Sequence, residues 1–233
     1  VSFPSCAAPS LGAERCDDED DPLPRVAVRL FAKAGYAVVY PERIDDLCCG
    51  QPFESKGFTD AADRKSAELE AALRAVSDAG RTPIVFDTSP CAYRMKRYLC
   101  GRIKVQDSIE FIHDCVLPRV DIAPIDASVA IHPVCSVRKM GVVDKLAAIA
   151  KRCSTDIVQI DAVQCCGFAG DKGFNRPELN EHALRDLKAA LPPRCAQGYS
   201  TSRTCEIGLS EQSGFPYRAL IRLVDRCATR RAR

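Results

Sequence analysis

The stretch CCGQPFESKGF at residues 48–58 returns in outline as CCGFAGDKGF at residues 165–174. Each copy joins a Cys-Cys-Gly triplet to a Lys-Gly-Phe triplet. An internal repeat restricts the fold, because each copy must build the same structural unit. These two stretches therefore predict a duplicated fold.

Two further elements flank the triplets in the same order in both copies. An X-Pro-X-Cys element precedes them, FPSC at 3–6 and HPVC at 132–135. A Thr-Ser element that ends in cysteine follows them, DTSPC at 87–91 and STSRTC at 200–205. The repeated order predicts two tandem units, over residues 1–100 and 101–233.

Short apolar runs alternate with amphipathic stretches between these elements. The runs at 38–40, 84–86 and 157–160 predict strands, and the stretches at 60–79 and 176–190 predict helices. Strands that alternate with helices predict an α/β fold of tandem βα-type units with parallel strands. Because the cysteines follow predicted strands, they should meet at the carboxyl ends of the strands, where ligands bind in such sheets.

The composition is that of a globular protein that can bury a core. Hydrophobic residues make up 46% and charged residues 27% of the 233 residues. The 33 basic side chains exceed the 31 acidic ones by only two, which argues against nucleic-acid binding. No apolar run approaches the roughly 18 residues of a membrane-spanning helix, and no secretory leader is visible. The start at Val1 suggests a piece of a longer protein.

The chain has 14 cysteines, more than a protein with its own core needs as disulfide staples. Adjacent cysteines rarely bond to each other, because the ring is strained, but they can direct two thiolates at one metal centre. The alternative is that the thiols are small buried core residues. We predict two sets of metal ligands: Cys6, Cys48, Cys49 and Cys91 in the first copy, and Cys135, Cys165, Cys166 and Cys205 in the second. The cysteines outside the repeat are predicted to be filler: Cys16, Cys100, Cys115, Cys153, Cys195 and Cys227.

Together these motifs resemble the cysteine-rich CCG domain, which occurs twice in the cysteine-rich component of heterodisulfide reductase and also in the iron–sulfur subunit of glycolate oxidase. With HPVCSVRKMG at 132–141 and TSRTCEIGLS at 201–210, the chain is most similar to the C-terminal iron–sulfur region of FAD-linked D-lactate dehydrogenases. The resemblance implies an oxidoreductase region that passes electrons from flavin to a quinone, cytochrome or other acceptor. It also implies upstream FAD-binding and ferredoxin-like domains as partners, and a cytoplasmic location, either free or peripheral to the inner face of the membrane.

One feature departs from the family pattern, which often ends each unit with C-x-x-C. Arg94 and Gly208 stand at that spacing after Cys91 and Cys205, so each copy offers four motif cysteines. Four thiolates suit a cubane [4Fe–4S] cluster or a zinc ion. Two alternatives therefore stay open: a zinc-stabilised structural or docking module, and a component of another redox complex that is similar to the CCG protein of heterodisulfide reductase.

Residues around the cysteines give further expectations. Lys56 and Lys172 recur at matching places and would either offset cluster charge or face solvent. His132 is expected to be a satisfied core histidine, with a hydrogen bond to a thiolate as the alternative. No hydrolase or nucleotide-binding motif is present, so no catalytic residue is predicted.

Charged residues lie nearest the second cysteine set along the sequence, among them Arg138, Lys139 and Arg203. Charges and hydrogen bonds around a metal tune a redox centre, whereas a structural site needs only its ligands. We therefore predict that the second set holds the redox-active centre and that the first is structural.

Overall fold

The computed structural model describes residues 1–12 and 21–231, so Cys16 lies outside the described residues. Their strands are β1 (Ser2–Phe3), β2 (Ile84–Phe86), β3 (Val105–Asp107), β4 (Val120–Ile122), β5 (Ile125–Ile131), β6 (Ser154–Gln159), β7 (Cys195–Ser200), β8 (Tyr217–Ala219) and β9 (Ala228–Arg230). Their α-helices are α1 (Ala7–Ser10), α2 (Leu23–Lys33), α3 (Gln51–Glu54), α4 (Thr59–Val76), α5 (Ser89–Leu99), α6 (Ser108–Phe111), α7 (Cys135–Met140), α8 (Val143–Cys153), α9 (Lys172–Asn175), α10 (Pro177–Leu184), α11 (Leu187–Ala190), α12 (Arg203–Ser213) and α13 (Leu220–Cys227).

The strands form two parallel sheets. One has the order β1-β2-β3 and the other β6-β5-β7-β8, with every pairing in both sheets parallel. β4 and β9 form a separate, short antiparallel pair. Parallel strands with helices between them confirm the predicted α/β fold.

The two sheets repeat one order of elements. β1 and β5 lead to the X-Pro-X-Cys elements, and β2 and β7 lead to the helices that carry the last motif cysteine, α5 and α12. β3 and β8 follow in equivalent places. Because β3 lies beyond residue 100, the first sheet extends past the proposed division at residues 100 and 101, which stays an interpretation of the motif repeat.

The predicted strand at 38–40 is wrong, although its position is informative. These residues lie beside β1 and make one hydrogen bond to it, from the Ser2 amide to the Val39 carbonyl at 3.0 Å. β6 occupies the same place beside β5 in the second sheet. A ladder needs a partner of similar length, and β1 has two residues whereas β5 has seven.

Of the two long helices that the sequence predicts, one forms as a single helix and the other does not. α4 is one continuous helix that buries Leu69 and Leu73, as expected. The stretch 176–190 is instead divided into α10 and α11. Leu179, expected on its buried face, is 44% exposed, while its neighbour Asn180 is buried. Asn180 hydrogen-bonds to a motif cysteine, Cys166, and this contact accounts for the rotated face.

The buried side chains of the described residues form two hydrophobic clusters, a smaller one between Phe3 and Val105 and a larger one that spans both copies. Leu30 and Phe31 of α2 pack in the same buried cluster as Leu223 and Val224 of α13. No helix within residues 1–12 and 21–231 is long and apolar enough to cross a membrane. The larger cluster joins the two copies, and motif cysteines lie in both clusters: Cys49 and Cys91 in the smaller, Cys166 and Cys205 in the larger.

Candidate metal centres

The four motif cysteines of the first copy form one group, here called the first centre. Cys6 follows β1, and Cys91 lies in the first turn of α5, after β2. The Cys49 thiol donates to the Cys91 sulfur at 3.1 Å. Cys48 completes the group through hydrogen bonds with both Cys6 and Cys49. The structure thus brings together all four cysteines that the sequence assigned to this copy.

Hydrogen bonding makes the acidities of these thiols unequal. Bonds from Cys49 and then Cys6 hold the pKa of Cys48 far below its usual range, and the Gly50 amide contributes by donating to its sulfur at 3.4 Å. The same bond to Cys48, followed by burial, raises the pKa of Cys6. The pKa of Cys49 is also raised, by its bonds with Cys48 and Cys91. The first centre therefore holds one readily ionised sulfur, Cys48, between two thiols that keep their protons, Cys6 and Cys49.

Gly50 and Ser66 fix the loop that carries Cys48 and Cys49. Gly50 has a φ of 85°, and a Cβ there would lie 2.3 Å from the Ala62 carbonyl oxygen on α4. Only glycine permits both this backbone conformation and this close approach. The buried Ser66 hydroxyl donates to the Cys49 carbonyl at 2.9 Å. α4 therefore positions the Cys-Cys pair directly.

In the second copy the structure brings three of the four cysteines together, here called the second centre. The Cys166 thiol donates to the Cys205 sulfur at 2.8 Å, and Cys165 hydrogen-bonds to Cys166. Cys135 is exposed at the start of α7. Its place in the set stays a prediction.

The second centre differs from the first in its acidities. The bond with Cys166, followed by burial, raises the pKa of Cys165. The bond from Cys165 lowers the pKa of Cys166, but the bond with Cys205 and burial outweigh it, so the net shift is upward. Both thiols of this Cys-Cys pair therefore hold their protons, unlike the readily ionised Cys48.

Its supporting contacts repeat those of the first centre with different residues. A Cβ on Gly167, whose φ is 72°, would lie 2.3 Å from the Leu179 carbonyl oxygen on α10. The buried Asn180 side chain donates to the Cys166 carbonyl at 2.6 Å, as Ser66 does to Cys49. Ser66 and Asn180 were missed by sequence reasoning. A polar residue on an otherwise apolar helix face was the available indication.

The two centres lie on either side of a polar seam between the copies. The Ser89 amide donates to the Thr201 carbonyl at 3.1 Å, and the Ser89 hydroxyl donates to the Thr201 hydroxyl at 2.9 Å. Lys56 and Asp171 form an ion pair across the copies at 2.7 Å. The Thr-Ser elements of the repeat are thus in contact with each other.

The lysines whose charges act on Cys48 and Cys165 are not the ones the repeat indicated. Lys56 is engaged with Asp171, whereas the positive charges of Lys65 and Lys139 favour ionisation of Cys48 and Cys165, respectively. Each Cys-Cys pair therefore has one lysine in electrostatic reach, supplied by α4 in the first copy and α7 in the second.

The positions three residues after Cys91 and Cys205 are occupied differently in the two copies. Arg94 is buried and pairs with Glu54 at 2.8 Å and with Asp63. A Cβ on Gly208 would lie 2.3 Å from the Asn180 amide nitrogen and 2.7 Å from the Phe168 ring. An ion pair fills one position, and close packing fills the other.

Two buried titratable groups lie beside the X-Pro-X-Cys elements. The Asp87 carboxylate accepts the Ser5 amide at 2.8 Å, and burial raises its pKa to about 7. His132 is buried, and burial followed by the charge of Arg138 lowers its pKa to about 4. Its Nε2 has no hydrogen-bond partner within the described residues, so the expectation of a satisfied core histidine is wrong.

The donor set is chemically uniform, since both centres present only thiol sulfurs. Within residues 1–12 and 21–231, no three His, Cys, Asp or Glu side chains are already arranged around a single metal ion. The sulfurs instead hydrogen-bond at 3.1 and 2.8 Å. These distances are shorter than the roughly 3.8 Å expected for two thiolates on one zinc with bonds of about 2.3 Å. Metal binding would therefore displace thiol protons and spread the sulfurs apart.

Comparison with known proteins agrees with this arrangement of thiols. Residues 1–96 match the cysteine-rich domain family, CCG. The match covers the first centre and ends within α5, so the CCG motif cysteines Cys6, Cys48, Cys49 and Cys91 all lie inside it.

One relative is an uncharacterized iron–sulfur protein of Methanococcus maripaludis, 27% identical over 173 residues. The aligned part is 71% of this chain and 33% of the relative, so the chain spans about a third of that protein's length. A solved structure of an aspartate racemase homologue from Pyrococcus horikoshii aligns over 88% of this chain and 92% of its own, at 9% identity. Its TM-score of 0.33 is too low to relate the two folds.

Proposed function

We propose that the chain is an iron–sulfur electron-transfer region of an oxidoreductase. The observation that carries this proposal is the convergence of sequence-distant thiols, four in the first centre and three in the second, at the carboxyl ends of parallel strands. Cysteine thiolates are the usual ligands of iron–sulfur clusters. The match of residues 1–96 to the CCG domain and the iron–sulfur name of the methanococcal relative support the same assignment.

The residues around the thiols suit that role. A bound cluster supplies one-electron transfer, and the chain supplies its ligands and its electrostatic surroundings. The Gly50 and Gly167 amides donate to the sulfurs of Cys48 and Cys165 at 3.4 Å. Lys65 and Lys139 add positive charge near the same sulfurs. Amide donors and cations stabilise thiolates, and they raise the reduction potential of a cluster that thiolates bind.

A finer assignment rests on the sequence motifs. We infer that the region belongs to an FAD-linked 2-hydroxy-acid dehydrogenase of the D-lactate type and passes electrons from flavin to a quinone, cytochrome or other acceptor. Its partners would then be flavin and ferredoxin-like domains elsewhere in the same protein or complex. Addition of D-lactate to that complete protein under anaerobic conditions should reduce flavin first and the iron–sulfur absorbance afterwards.

The iron–sulfur proposal is tested by purifying the chain anaerobically. The protein should be brown, contain iron and acid-labile sulfide, and lose its visible absorbance when dithionite is added. Cys49→Ser should lower the iron content, whereas Cys100→Ser, an exposed cysteine outside the motifs, should not. A colourless protein with stoichiometric zinc would overturn the proposal in favour of a zinc-stabilised structural module.

A further inference from the structure

Cys153 and Cys227 lie outside the motifs and next to each other. Cys153 ends α8 and Cys227 ends α13, and each is followed at once by a strand, β6 or β9. Both are buried, with exposed fractions of 0% and 2%. The Cys227 thiol donates to the Cys153 carbonyl oxygen at 3.2 Å, although 74 residues separate the two in sequence.

The two sulfurs are also in contact with each other. The Cys153 thiol donates a hydrogen bond to the Cys227 sulfur, and this bond raises the pKa of Cys153. The same bond lowers the pKa of Cys227 to about 7, against the opposing effect of burial. At neutral pH one sulfur of the pair is therefore ready to ionise and act as a nucleophile, while its neighbour stays protonated.

We propose that Cys153 and Cys227 form a reversible disulfide when the protein meets hydrogen peroxide, a modification site distinct from both metal centres. The Cys227 thiolate attacks one peroxide oxygen and becomes a sulfenic acid as the O–O bond breaks and water leaves. The Cys153 sulfur then attacks the Cys227 sulfur, which releases a second water. Overall two thiols lose two electrons and two protons to peroxide, which is reduced to two water molecules.

The end of the described chain offers the route of access. β9 pairs through only three residues with β4, and Thr229 and Arg230 within it are exposed. A two-stranded ladder of three residues opens more readily than core strands, and its opening would uncover Cys227. The disulfide would then tie α13 to α8.

The experiment uses the full chain, purified anaerobically with its metal centres, and treated with hydrogen peroxide in steps. Remaining thiols are alkylated in denaturant, and unreduced digests are analysed by mass spectrometry. We expect a peptide pair joined through Cys153 and Cys227, lighter by two hydrogen atoms than the two free peptides and released by dithiothreitol. The link should be absent in Cys153→Ala and Cys227→Ala, and retained in Cys195→Ala, a matched control buried in the same copy.

Three results would overturn the proposal. Cys227 could be recovered as a free alkylated thiol at peroxide doses that oxidise the exposed Cys100. Cys227 could instead be linked to a motif cysteine, or be oxidised irreversibly without a partner. Should an alanine variant fail to fold, the corresponding serine variant makes the same distinction. Iron content measured in parallel separates loss of a cluster from formation of this link, so the test stands whichever metal the centres bind.

Discussion

The first and second centres are built from matching motifs in the same order, yet they differ in how many of their cysteine thiols hydrogen-bond to one another. Four thiols are connected in the first, and Cys48 is poised to ionise. Three are connected in the second, with Cys135 and Cys165 exposed. The motif thus decides which residues can be ligands, whereas the surrounding helices decide how far the site is formed before a metal arrives.

This difference bears on the prediction that the first centre is structural and the second is redox-active. Each centre has exposed cysteines, Cys6 in the first and Cys165 in the second, so the difference lies in the connections between the thiols. A fully connected set suits a site whose ligands only hold the fold together, whereas an exposed Cys135 outside the group leaves room for a reaction partner to approach. Substitutions made in matching places of the two centres can separate these roles.

The largest expected effect comes from removing one ligand in each centre. Cys49→Ser should abolish the first cluster and Cys166→Ser the second, each with loss of about half of the bound iron, since a cluster rarely survives loss of a thiolate. In the proposed flavin-linked dehydrogenase, Cys166→Ser should stop acceptor reduction while flavin reduction by substrate continues. Cys49→Ser should slow acceptor reduction less than Cys166→Ser does.

The opposite pattern would reverse the assignment of roles: acceptor reduction intact in Cys166→Ser and stopped in a folded Cys49→Ser. Cys135→Ser sharpens the comparison further. It should remove the same iron as Cys166→Ser if Cys135 is the fourth ligand, and leave the iron unchanged if it is not.

The second prediction concerns the glycines of the Cys-Cys-Gly triplets. Gly50→Ala and Gly167→Ala should each lower the free energy of unfolding by about 2–5 kcal/mol, because positive φ and a backbone clash combine. Gly141→Ala is the matched control, since its φ is also positive but nothing lies near its Cβ, and it should cost about 1–2 kcal/mol. Equal losses in urea unfolding would show that strain alone, without helix contact, explains both positions.

The third prediction concerns pH and the carboxyl that only the first copy has, since Ser200 stands at the place of Asp87. The pKa of Asp87 is raised from 3.8 to about 7, so the folded state binds its proton more tightly than the unfolded state. Its contribution is fully present below pH 3.8 and is lost as the pH rises towards 7. The slope for one such group is at most about 1.4 kcal/mol per pH unit.

Asp87→Asn should therefore flatten the pH dependence of unfolding between about pH 4 and 7, because asparagine can still accept the Ser5 amide without ionising. Ser200→Ala should leave that dependence unchanged. An unaltered slope in Asp87→Asn would show that other buried carboxyls, such as Glu206, cause it.

The smallest expected effects come from the two side chains that hold the Cys-Cys loops. Ser66→Ala and Asn180→Ala each remove a hydrogen bond to a cysteine carbonyl and should lower stability by about 1–2 kcal/mol. Asn180→Ala should be the more disruptive, because Asn180 also packs against Gly208. Thermal unfolding of both variants beside wild type measures the difference, and a larger loss in Ser66→Ala would contradict it.

Repetition made much of the fold predictable. The apolar runs that became β2 and β6 and the periodicity that became α4 are local patterns, and the four repeated elements placed the cysteines at strand ends. The strand expected at 38–40 failed because its neighbour β1 is short, which no local pattern shows. The helix around Leu179 turned a different face inwards because Asn180 is needed at Cys166.

The sequence predicted which cysteines lie together, with Cys135 still a prediction, but it did not predict their surroundings. The repeat of Lys56 and Lys172 suggested cations at the clusters, but an ion pair with Asp171 occupies Lys56. The charges of Lys65 and Lys139 instead favour ionisation of Cys48 and Cys165, and these lysines come from different elements in the two copies. Their role depends on how α4 and α7 pack, which is a property of the assembled chain rather than of either motif.

The hydrogen bonds between Ser89 and Thr201 have a consequence for anyone who would divide this molecule. Each copy acts towards the other as a protomer does in a dimer, except that the connecting chain keeps them at a fixed stoichiometry. Expressed separately, each half would leave its own seam residue, Ser89 or Thr201, without its hydrogen-bond partner, and it would expose the apolar face of α2 or α13. We expect such halves to aggregate or to reassociate, so the smallest stable unit for engineering contains both copies.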